Sequence, residues 1–205
     1  ELAASEDGYV ANALGDHRAT LTCCCAKNAT IVVGGNTAGF MNLWEMNLLT
    51  ERIDRNYAPA TVSTVWTGDI SQRNESHTWY DSSTSSVSPI DGWEIVDVDI
   101  TVLPDAPVDQ TTGLQVPTIV CVDNTGGVGR GGKVFVKNHH NQVITITSDD
   151  LHGQPNQVEF VDGKLMIKCG NNYDRADTLV RLIDIPAQDI NLPNEINNKV
   201  LQGKR

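Results

Sequence analysis

The residues best placed to do chemistry are two carboxylates spaced two apart. Asp97 and Asp99 lie in the run Trp93-Glu94-Ile95-Val96-Asp97-Val98-Asp99-Ile100, whose alternation reads as a strand. Side chains at i and i+2 of a strand share a face, so the two carboxylates would sit side by side. Such a pair can do the acid–base work of glycoside cleavage. The simpler expectation is that they line the solvated face of a half-buried strand whose apolar face carries Val96, Val98 and Ile100.

His139-His140 occupies a hairpin tip, with Asp149, Asp150 and His152 downstream. Imidazole and carboxylate donors suit a metal, but neighbouring side chains on a tight turn are expected to diverge, so no metal site is expected. The loops around Asp123-Asn124, Asp149-Asp150 and Asp162 carry oxygen ligands without a complete calcium-loop spacing. Five cysteines occur, at 23, 24, 25, 121 and 169. Three consecutive cysteines on an extended strand alternate faces and cannot converge on one metal. Cys121 and Cys169 sit in apolar runs and read as buried thiols. The odd count and the lack of a C-x-x-C spacing argue against a disulfide scaffold and against zinc.

Gly126-Gly127-Val128-Gly129-Arg130-Gly131-Gly132 is the most conspicuous local run. A phosphate-cradling loop opens a helix, whereas Lys133-Val134-Phe135-Val136 follows here and reads as a strand. The run is therefore expected to be a hairpin loop. Gly126, Gly127 and Gly129 are binding candidates, because backbone without Cβ admits close approach. No G-x-S-x-G, H-E-x-x-H or G-x-x-x-x-G-K-S/T motif is present. With no catalytic residues, no cofactor and no metal expected, the chain reads as non-enzymatic.

Aromatic residues offer a different chemistry. Trp66, Trp79, Tyr80 and Trp93 are the nearest cluster, and Trp79-Tyr80 sits in the polar stretch His77-Thr78-Trp79-Tyr80-Asp81. Such side chains stack on sugars or anchor protein interfaces. Trp79, Tyr80 and Trp93 are therefore taken as binding candidates, with core packing the plainer reading of Trp66 and Trp93.

The elements that must position these residues read almost wholly as strands. Thr30-Ile31-Val32-Val33, a turn over 34–39 and Phe40–Met46 form one hairpin. The segment from Ala38 to Arg52 can also be fitted to a helical period, as can Pro193–Gln202. Thr61–Trp66 and Trp93–Ile100 are strands separated by a polar loop over Ser71–Ser88. Thr118–Val122, Lys133–Val136 and Val143–Ile146 follow, with a turn at Asn138-His139-His140-Asn141. Gln157–Val161 and Lys164–Cys169 flank Asp162-Gly163, a strong hairpin signal, and Thr178–Ile185 closes the series. Units starting near Thr30, Thr118 and Lys164 imply a period of roughly 44 residues, the length of a four-stranded propeller blade.

The chain is thus expected to be a single all-β domain over 1–205, with propeller-like blades of antiparallel strands or, alternatively, a β-sandwich, and a C-terminal tail over 187–205. Ile31–Trp44, with its strand, glycine, polar turn, glycine and strand, is similar to propeller blades of the WD-repeat or quinoprotein-like kind. Lys164–Gly170 followed by Leu179–Ile185 resembles the paired inner strands of such a blade. About four blades' worth of chain implies a part of a larger propeller. The acidic, Asn/Thr/Gly-rich texture also resembles bacteriophage tail and other virion components, which implies a place in a virion.

The net charge of −11 and a pI of about 4.7 argue against nucleic acid and against anionic membranes as partners. No stretch approaches the roughly 18 apolar residues of a spanning helix. The chain starts at Glu1 and ends in Gly203-Lys204-Arg205, which suggests a processed piece of something longer. Other protein subunits are the expected partners, with a glycan-binding or glycan-hydrolysing protein as the alternative.

Overall fold

A computed structural model describes residues 19–37, 40–50, 52–57, 60–66, 79–87, 94–123, 132–148, 154–170 and 178–192. They form three sheets and no helix. The first sheet is an antiparallel meander of six strands: β1 (Ala19–Lys27), β2 (Thr30–Thr37), β3 (Phe40–Asn47), β4 (Arg52–Tyr57), β5 (Ala60–Trp66) and β6 (Trp79–Val87). The second continues with β7 (Ile95–Thr101), β8 (Thr118–Asp123), β9 (Lys133–Lys137) and β10 (Val143–Ser148), again antiparallel. The third is β11 (Gln154–Val161), β12 (Lys164–Gly170) and β13 (Thr178–Asp184). Finally β14 (Ile190–Leu192), within the stretch read as a tail, returns to the second sheet and pairs with β10 in parallel.

The second sheet is the middle layer. Along β8 all six residues are buried, which only a strand covered on both faces can show. Ile119 and Cys121 of β8, with Val98, Ile100 and Phe135, pack on Val32 and Leu43 of the first sheet. The alternate residues Val120, Val122, Val134, Val136, Ile144 and Ile146 pack on Val158, Leu165, Ile167 and Ile183 of the third. Burying a Val or Ile side chain stabilises by about 1.5–3 kcal/mol, so these two apolar layers dominate the energetics. The continuous run Ile119-Val120-Cys121-Val122 is the sequence trace of this double burial.

Three expectations change. The turn read over 34–39 begins later, because β2 runs through Gly34 and Gly35 to Thr37. Gly34 serves packing: a Cβ there would strike the Ile95 side chain and lie 2.6 Å from Cys23 Sγ. The polar loop read over Ser71–Ser88 contains β6, which pairs with β5 through Trp79 to Ser82 and through Ser86 and Val87, with an irregularity between. The helical option for 38–52 gives way to β3 and a turn. The helical option for Pro193–Gln202 lies outside the described residues. All-β architecture is shown, but sheets of six, five and three strands that do not close do not establish propeller blades.

Local turn chemistry is where the sequence expected it. Asp162 and Gly163 take φ of 49° and 74° between β11 and β12, the left-handed pair of a tight hairpin. Among the described residues no helix is long and apolar enough to cross a membrane.

Candidate functional site

Asp97 and Asp99 are half-buried and each has a hydrogen-bond partner. β7 ends its own sheet and lies against β1 and β2 of the first sheet and β11 of the third. The β7 ladder slips between Ile95 and Asp97, and this bulge changes which side chains share a face. Ile95, Val98 and Ile100 join the layer facing the first sheet, whereas Val96 packs in the layer facing the third. The expectation that Val96, Val98 and Ile100 form one apolar face is corrected accordingly.

Both carboxylates are half-buried. Val158 N–H donates to Asp97 Oδ2 at 2.8 Å and Phe160 N–H donates to Asp99 Oδ2 at 2.7 Å. Asp99 Oδ1 also accepts the N–H of Ile100 at 2.8 Å. β11 is paired with β12 on one side only, and alternate N–H groups of a strand point to the same edge. The i, i+2 spacing of the carboxylates therefore matches the i, i+2 spacing of two open N–H groups. An edge that would otherwise template further strands is capped by side chains. On the other flank of β7, the Thr22 hydroxyl donates to the Ile95 carbonyl and lies 3.1 Å from Gly34 O.

Electrostatics follow from this burial. The Asp97 carboxyl is raised above its ordinary range, chiefly by desolvation, against the N–H groups of Val158 and Val98, with the Asp99 charge adding to the rise. Cys25 is pushed up to about 12, first by burial and then by Asp99. Burial likewise raises Cys23, partly offset by the Thr22 hydroxyl. Cys23 and Cys25 pack inward while Cys24 is exposed, the alternation expected of a strand. Cys121 and Cys169 are buried.

Chemically, this junction can clamp β11 to β7. Each carboxylate already accepts a backbone N–H, and among the described residues no group of three or more His, Cys, Asp or Glu could hold a metal. The signal for the clamp was partly in the sequence, as the i, i+2 spacing. Its acceptor role was not, because β11 lies some sixty residues downstream.

The other expected site residues fare differently. Trp79 and Tyr80 open β6, in register with Trp66 and Val65 of β5. Trp93, Gly126, Gly127 and Gly129 lie outside the described residues. The strands flanking the glycine run, β8 and β9, are antiparallel neighbours, so the run connects a hairpin. At its end Gly132 is buried, and a Cβ there would lie 2.8 Å from Asp123 O and 2.9 Å from Pro155 Cδ. Close approach is thus required within the chain, against β11. His139 and His140, expected to diverge, converge instead: their Nε2 atoms are 3.1 Å apart.

No protein-family model, no curated protein and no solved structure matches the chain.

Proposed function

We propose that this chain is a non-enzymatic structural or binding module of a larger assembly, of the kind found in virion tails and surfaces. The observation that carries this reading is the use of Asp97 and Asp99. The one carboxylate pair spaced for acid–base chemistry is engaged in holding two sheets together.

A second observation fits the same reading. The β1–β2, β3–β4 and β7–β8 connections are tied at one end of the stack: Leu48 N–H donates to Ala29 O, and Asn28 Nδ2 donates to Gln115 O, which pairs with Val108. That end exposes Leu48, Leu49 and Val108, each about half accessible, in a chain of net charge −11. Apolar side chains presented by well-tied turns suit protein contacts, and the charge disfavours polyanions. A propeller-like closure of the sheets by further strands is the form this assembly takes if the 44-residue spacing reflects blades.

Incubation of the chain with a panel of glycans, wild type beside Asp97→Asn and Asp99→Asn, tests the reading. No hydrolysis by any of the three is expected. Turnover by wild type that either substitution abolishes would sink it in favour of a glycan-cleaving protein.

A further inference from the structure

The β9–β10 hairpin holds its two imidazoles closer than adjacency dictates. His139 Nε2 and His140 Nε2 are 3.1 Å apart, with ring centroids 4.2 Å apart and ring planes at 63°. The turn beneath them is pinned. Asn138 N–H donates to Gln142 O and Asn141 N–H to Asn138 O, both at 2.9 Å. Asn138 Oδ1 accepts the N–H of His140 at 2.9 Å and of Gln142 at 3.0 Å. Asn141 closes the tip at φ 61°, a left-handed conformation that Asn tolerates.

His139 is half-buried, and its Nδ1 is shielded from water with no hydrogen-bond partner. Either neutral arrangement of the pair leaves this atom unsatisfied. If His139 carries its proton on Nε2, Nδ1 is an orphaned acceptor. If His140 donates instead, His139 Nδ1–H is an orphaned donor.

The geometry points to a bidentate site for a first-row divalent transition ion at His139 Nε2 and His140 Nε2. Metal–imidazole bonds of roughly 2.0–2.1 Å place two nitrogens roughly 2.9 Å apart at a right angle and roughly 3.3 Å apart at the tetrahedral angle. The observed 3.1 Å falls between these limits. Coordination requires the rings to turn so that both lone pairs meet a shared ion rather than each other. Both rings then coordinate as neutral imidazoles with the proton on Nδ1. Two nitrogen ligands favour nickel, copper or zinc over magnesium and calcium. Among the described residues no third His, Cys, Asp or Glu completes the set.

The test uses the full chain carrying Cys24→Ser, which removes the exposed thiol that would compete for the ion. Zinc chloride alone is titrated calorimetrically while imidazole nitrogen resonances are followed by NMR. One ion per chain is expected, with the Nε2 resonances of both rings shifting. His139→Ala and His140→Ala should each weaken binding at least tenfold, and the double variant should show none. Asn138→Ala, which keeps both ligands but loosens the turn, should weaken binding several-fold, with circular dichroism checking that every variant is folded. Unshifted Nε2 resonances at millimolar zinc, or a double variant that binds as tightly as its parent, would overturn the proposal.

Discussion

At the residue scale, the roles of Asp97 and Asp99 turn on acceptor geometry rather than on charge. Asp97→Asn keeps an oxygen for Val158 N–H and removes a charge that burial opposes. Asp97→Leu leaves that N–H without a partner, a loss of about 1–3 kcal/mol. Urea unfolding at neutral pH should therefore show the Asn variant within about 0.5 kcal/mol of wild type or above it, and the Leu variant well below. The pH dependence has a definite sign. Because the folded-state pKa of Asp97 is raised, its contribution is fully present below the unfolded value and is lost as pH rises through the folded one. The advantage of Asp97→Asn over wild type should thus grow as pH rises from 3.8 towards neutrality. An Asn variant that unfolds as easily as the Leu variant would show that the negative charge, not the acceptor, holds β11.

At the element scale, strand packing depends on close approaches that local patterning cannot reveal. Gly34 lies under Ile95 of β7, so Gly34→Ala should destabilise by about 1–3 kcal/mol through overpacking. Trimming Ile95 to Val or Ala in the Gly34→Ala background should recover part of that loss, and a double-mutant cycle should show coupling of about 0.5–3 kcal/mol. Additive effects would mean that the two positions do not touch. What was legible follows the same division. The hairpin at Asp162-Gly163 was readable because the left-handed turn is chosen by two adjacent residues. β8 was readable from its unbroken apolar run. β6 was not, since Trp79-Tyr80-Asp81-Ser82-Ser83-Thr84-Ser85-Ser86-Val87 takes its order from pairing rather than from propensity. Gly34 and Gly35 were misplaced in a turn because glycine marks turns and close contacts alike, and the contact partner lies 61 residues away. The histidine pair was misjudged for a similar reason: adjacency suggests divergence, but Asn138 and Asn141 set the turn that brings the rings together.

At the scale of the whole molecule, three stacked sheets are joined by two apolar layers and a few polar ties. One tie is Lys137 of β9, whose Nζ donates to both carboxylate oxygens of Glu45 on β3 at 2.7 Å, with side-chain exposures of only 22% and 11%. Removing one partner strands the other charge in a poorly hydrated layer, whereas replacing both with apolar groups of similar size does not. Lys137→Met should cost about 1–3 kcal/mol in thermal or urea unfolding, and Lys137→Met with Glu45→Leu should recover most of it. Equal losses in the single and double variants would make the tie a plain packing contact. A scaffold built this way, with its paired carboxylates used as structural acceptors and apolar side chains on tied turns, is suited to making contacts. The mass of the native complex that carries the chain is the most direct measurement of that role. Native mass spectrometry should find the chain in a particle of many times its own 22.3 kDa. A lone monomer of 22.3 kDa as the native species would contradict an assembly role.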